Sequence, residues 1–156
     1  METKSTLRYM GGIVCESSAI DSITQNFSAF KIIDQITMEV RSTDSTKTAK
    51  SLEKIVVPIN FQVISLWKRN NQSDFGKQMD QKVMMEILDP NQKVLAKNFF
   101  QVILPLDKIR SRAILNVQGM PVSDTGEYCI QMKEITNTEE EILLAKLCFD
   151  IIVNKS

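Results

Sequence analysis

The sequence contains no histidine. That removes the side chain whose unperturbed pKa lies nearest neutrality, and with it most general-base designs and most zinc sites. Cysteine is scarce too. Three residues, odd in number and without CxxC spacing, do not make a disulfide framework, and the expectation is three free thiols. No apolar run approaches the 18 or so residues of a membrane helix, so no membrane partner is expected. The first residues, Met1-Glu2-Thr3-Lys4-Ser5-Thr6, are polar, and residues 7–15 are interrupted by Arg8 and two glycines. A signal peptide has a basic start and a long apolar stretch instead, so a cytoplasmic protein is expected. Charge of one sign is also lacking: Lys plus Arg equals Asp plus Glu at 19 each. A neutral balance draws in neither phosphate backbones nor anionic lipid, and the one basic stretch, 47–54, is broken by Glu53. No nucleic-acid partner is expected.

What is present is alternation. Apolar residues make up 43% and charged residues 24% of the 156, the balance of an ordinary globular protein, and residues 1–156 read as one domain. In Val57-Pro58-Ile59-Asn60-Phe61-Gln62-Val63 each odd position is apolar, as in a strand with one buried face. Val83, Met85 and Ile87 keep the same phase. So do Ala113, Leu115 and Val117, then Tyr128, Ile130 and Met132. Leu143, Ala145, Leu147, Phe149, Ile151 and Val153 form the longest series, and Phe30, Ile32, Ile36, Met38 and Val40 an earlier one shared with Asp34. Residues 7–15 read as a weaker strand.

Turn chemistry falls between these runs, at Asp89-Pro90-Asn91, at residues 120–126 and at residues 70–74. Seven or eight short strands at this spacing predict an all-β, antiparallel fold, a sandwich or a barrel, with the sandwich preferred. Residues 41–54, rich in Ser, Thr and Lys, are too polar to pack and read as a long mobile loop. Thr138-Glu139-Glu140-Glu141 is also compatible with a helix capping box, but β-branched Ile151-Ile152-Val153 favours a strand.

Asp124-Thr125-Gly126-Glu127-Tyr128-Cys129 is similar to the D-x-G-x-Y-x-C signature of the penultimate immunoglobulin strand, whose tyrosine hydroxyl bonds back to upstream backbone. The match holds through Tyr128, while the cysteine stands one position early. With Tyr128 inward, Cys129 points outward. The other cysteine, Cys15, lies far before Trp67, so the architecture reads as immunoglobulin-like without the inter-sheet disulfide. Asp124, Gly126, Tyr128 and a core Trp67 are structural candidates.

Catalysis by Cys15, Cys129 or Cys148 lacks a histidine to make the thiolate. Calcium needs converging carboxylates, whereas Asp21, Asp89, Asp107 and Asp124 stand singly in loops. No catalytic, cofactor or metal site is expected. Asp34 on an apolar face implies a bulge or a local partner. Eight methionines, Met84-Met85 among them, suit core gap-filling better than an adaptable binding face.

With these residues in view, the chain resembles an uncharacterised family of small bacterial proteins with an immunoglobulin-like β-sandwich. The resemblance rests on Cys15-Glu16-Ser17, on Asn26-Phe27-Ser28-Ala29-Phe30-Lys31-Ile32-Ile33-Asp34-Gln35-Ile36, and on the strand 58–67. It continues in Ile87-Leu88-Asp89-Pro90-Asn91-Gln92-Lys93-Val94-Leu95, in Arg112-Ala113-Ile114-Leu115-Asn116-Val117-Gln118-Gly119-Met120-Pro121, and in Gly126-Glu127-Tyr128. It implies a fold and no catalytic residues, and the chain departs from it in the 41–54 insertion. The function expected is a non-enzymatic binding or accessory domain acting on another protein in a bacterial cytoplasm. The alternative is a structural subunit of a larger assembly.

Overall fold

Alternating apolar and polar residues can bury one side only by lying flat on a second layer, and two such layers form here. In the computed structural model residues 4–40, 55–122 and 124–155 are described, so the 41–54 segment lies outside them. Among the described residues there are nine strands and one 3-10 turn, Gln72–Asp74. The strands are β1 (Leu7–Ile20), β2 (Phe27–Ile32), β3 (Gln35–Val40), β4 (Ile55–Arg69) and β5 (Met79–Leu88). They continue with β6 (Val94–Leu104), β7 (Arg110–Val122), β8 (Gly126–Ile135) and β9 (Glu141–Lys155). One sheet has the order β2-β1-β4-β7, the other β3-β9-β8-β5-β6. All pairings are antiparallel except β3 with β9, which run parallel.

The core lies between the sheets. Phe61, Val63 and Trp67 of β4 face Val83, Met85 and Ile87 of β5, Tyr128, Ile130 and Met132 of β8, and Phe149 and Ile151 of β9. These are the inward series that alternation predicts. The strand expected at 141–155 also forms, in place of the helix alternative.

Three phase assignments change, each at a local backbone event. The series from Phe30 to Val40 is two strands in different sheets, which raises the count to nine. Lys31 has φ +53, which breaks the extended path, and Ile33 turns to the core while Phe30 and Ile32 stay exposed, Ile32 at 64%. Asp34 sits exposed at this crossing, where its carbonyl accepts the Asp150 N–H at 2.9 Å. The turn expected at 120–126 is shorter, because β7 runs on through Met120 and Val122, both buried. Gly119, at φ +70 opposite a register break between Val57 and Asn60, moves the buried phase from Val117 to Met120. Pro121 is tolerated there because β7 is an edge strand. In β9 the register skips at Leu144, which packs on the core and leaves Leu143 57% exposed.

Two buried charges fasten the ends of the layers. Arg69, at the end of β4, donates Nε to Lys108 O (3.0 Å), Nη1 to Asp74 O (2.7 Å), and Nη2 to Leu104 O (3.0 Å) and Pro105 O (2.8 Å). One guanidinium thereby holds two loops with four of its five donors. Glu134 is buried beneath the segment before β1 and accepts the Thr6 N–H at 3.1 Å together with the hydroxyls of Ser5 and Thr6.

Candidate functional site

The outer face of the five-stranded sheet carries ordered rungs running from β9 across β8 and β5 to β6. One rung is Lys146–Gln131–Glu86–Lys97, and the next is Cys148–Cys129–Leu88–Val94. A third is Leu143–Lys133–Met84–Phe99. Side chains directly opposite on one face lie close enough to interact, so this register decides the chemistry.

Glu86 is the centre. It is only 3% exposed although it faces away from the core. Gln131 Nε2 donates to its Oε2 at 2.6 Å, Lys133 Nζ stands 3.0 Å from that oxygen, and Lys97 Nζ stands 3.2 Å from Oε1. Burial pushes the carboxyl pKa up, but the hydrogen bonds from Gln131, Lys133 and Lys97 outweigh it and leave the group below its ordinary value. Lys133 also bonds Glu141 at 2.9 Å, and its two carboxylate partners, Glu141 foremost, raise its pKa. Beyond this network Lys82 Nζ lies 4.4 Å over the Phe99 ring, which is itself 54% exposed beside Met84. The methionine pair therefore divides, with Met85 in the core and Met84 beneath this outer face.

The neighbouring rung overturns the expectation of three free thiols. Cys129 and Cys148 form a disulfide, with Cα atoms 4.1 Å apart. Their outward phase is as expected. What outward phase alone does not reveal is that β8 and β9 pair Tyr128 with Phe149 and therefore Cys129 with Cys148. Such close Cα atoms mark a pair without mutual ladder hydrogen bonds, where side chains approach most nearly. A signal was present, since the two cysteines stand almost equally far from the turn at Thr136–Glu140, closed by Thr136 N–H to Glu140 O. Glu127, two residues before Cys129, brings a carboxylate oxygen 3.6 Å from its sulfur. Cys15 is free and buried, and burial raises its pKa.

The structural candidates lie elsewhere, Asp124, Gly126 and Tyr128 at the β7–β8 turn and Trp67 on β4. The Tyr128 hydroxyl donates to Asp124 O at 2.8 Å, forming the back-bond that the D-x-G-x-Y signature implies. Gly126 has φ +154, and a Cβ there would come within 2.7 Å of Pro90, so only glycine lets the β5–β6 and β7–β8 turns touch. Trp67 is fully buried, donates Nε1–H to Ser65 Oγ at 2.8 Å, and meets the Tyr9 ring edge-on.

The loop aspartates serve turns. Asp21 accepts the N–H groups of Ile23 and Thr24, and these bonds lower its pKa. Asp89 accepts those of Asn91 and Lys93.

No protein-family model matches this chain, and no curated protein matches it. Among the described residues no helix is long and apolar enough to cross a membrane.

Proposed function

We propose that this chain is an immunoglobulin-like sandwich that binds another protein and performs no chemistry on it. The order β9-β8-β5-β6 in one sheet and the adjacency of β4 and β7 in the other support the fold reading. They correspond to the G-F-C-C′ and B-E neighbours of that architecture, and Tyr128 to its tyrosine corner. Two features depart from the pattern. The disulfide joins neighbours within one sheet, and the buried tryptophan stands on β4 instead of the C-like β5. Bacterial family membership remains part of the proposal. So does the cytoplasm, against which the Cys129–Cys148 disulfide weighs, since such bonds persist mostly in oxidising compartments.

The observation that carries binding is β6. It pairs with β5 on one side, is an outer strand of its sheet, and presents Phe99 and Ile103 beside Lys82 and Lys97. Open edges accept an added strand, with pockets and charges alongside setting preference. An extended segment carrying apolar and acidic residues fits this edge.

A photo-crosslinker at Gln101, on the exposed side of β6, should trap a different protein in cells of the source organism. With the crosslinker moved to Ile103, Q101P combined with F99D should abolish capture. Adducts only with further copies of this chain, together with elution far above 17.7 kDa, favour the structural-subunit alternative.

A further inference from the structure

The rung beside Glu86 holds more than a staple. Glu127 and Cys129 share one face of β8, and Cys148 lies directly opposite on β9. The carboxylate oxygen and the two sulfurs all lie within 4.8 Å of one another. We propose that reduction of the Cys129–Cys148 disulfide by a dithiol opens a site for a thiophilic divalent cation, Zn2+ in particular, with Cys129, Cys148 and Glu127 as its protein ligands.

The chemistry is balanced. A dithiol gives two electrons and two protons to the disulfide, becomes a cyclic disulfide itself, and leaves two protein thiols. Zn2+ then displaces both thiol protons to solvent and bonds two thiolates and one carboxylate. Two sulfurs and one oxygen are a donor set that this borderline-soft ion accepts, and three protein ligands leave a fourth tetrahedral position for water.

Access and support both favour the site. Cys148 and Glu127 are exposed, so reductant and ion reach the pair from solvent, while Cys129 is buried on β8 with strands on both sides. Ligands on paired strands hold their spacing when the covalent link is cut. Asp150 stands opposite Glu127 in the same register, adding negative charge where the cation would sit. On the other side Lys146 reaches toward Gln92 at 3.4 Å. The lack of histidine excludes most zinc designs but not this one.

The test uses the full chain, reduced anaerobically with a phosphine and titrated with Co2+ as a spectroscopic stand-in for Zn2+. The oxidised protein should take up no metal at the site. The reduced protein should bind one equivalent, with thiolate-to-cobalt charge-transfer absorption that Zn2+ bleaches. C15S should behave like the parent, C148S should lose the charge-transfer band, and E127Q should weaken Zn2+ binding at least about tenfold in competition with a chromophoric chelator. Alkylating exposed Cys148 in the folded, reduced protein gives the same answer without a variant. Absence of uptake after reduction, uptake that survives loss of Cys148, or unchanged affinity in E127Q each overturns the proposed ligand set.

Discussion

The hydroxyl of Tyr128 donates to the carbonyl of Asp124 at 2.8 Å, and its oxygen accepts the Asp124 N–H at 3.3 Å. One phenol thus closes the turn between β7 and β8 from within, while its ring stacks near Phe149 in the core. Tyr128→Phe keeps the ring and deletes both bonds. It should cost about 1 kcal/mol of unfolding free energy, read from the urea midpoint at unchanged slope. A loss below the error of that measurement shows that the back-bond contributes nothing.

Glu86 makes an acid-side prediction. Its folded pKa is lowered, so its stabilisation is complete above the ordinary glutamate value of about 4.3 and is lost as pH falls through the folded value. Lys133 is raised, so its share is complete below the ordinary lysine value of about 10.4 and is lost as pH rises through its folded value. Between those limits this cluster should add no pH dependence. Glu86→Gln should cost about 1–3 kcal/mol at neutral pH and flatten the loss of stability in acid, measured by chemical denaturation at each pH. An acid limb as steep as the parent's assigns that limb to other carboxylates.

Arg69 should be among the least replaceable side chains. Arg69→Met leaves four carbonyl oxygens without their shared donor, of which Leu104 O lies in a buried contact. We expect a loss of about 3 kcal/mol or more, with faster proteolysis at Lys77 and Lys108. Arg69→Lys should recover little of it, because a single ammonium has three donors and no fork.

The disulfide is checked by counting thiols. Denatured but unreduced protein should show one reactive thiol, Cys15, and reduced protein three. Reduction cuts the Cys129–Cys148 bond and so frees a loop spanning 19 residues in the unfolded chain, which should lower stability by about 3 kcal/mol. Three thiols before reduction contradict the pairing.

These residues also show which parts of the molecule were legible. Burial was readable wherever alternation is long and unbroken, as at Phe61, Val63 and Trp67 or Tyr128, Ile130 and Met132, because period 2 is a property of the strand itself. Phase failed where one backbone angle or one extra residue intervenes. Lys31 with φ +53 and the bulge at Leu144 leave no mark in side-chain type, and Leu143 looked as apolar as its neighbours. Pairing between strands was the larger blind spot. The Glu86 network draws on β5, β6 and β8, and the disulfide on β8 and β9, so neither exists until register is known. The Tyr128 turn was legible because its residues are neighbours in the chain.

The parallel pairing of β3 with β9 bears on how this protein is made. Among the described residues β3 is the outermost strand of its sheet and hydrogen-bonds there with β9, and five strands are synthesised between them. On the ribosome β3 must therefore wait, with Ile36 and Met38 uncovered, until β9 has cleared the exit tunnel. Pairing across so much intervening chain is slow, so β3 is a long-exposed, unpaired strand during synthesis.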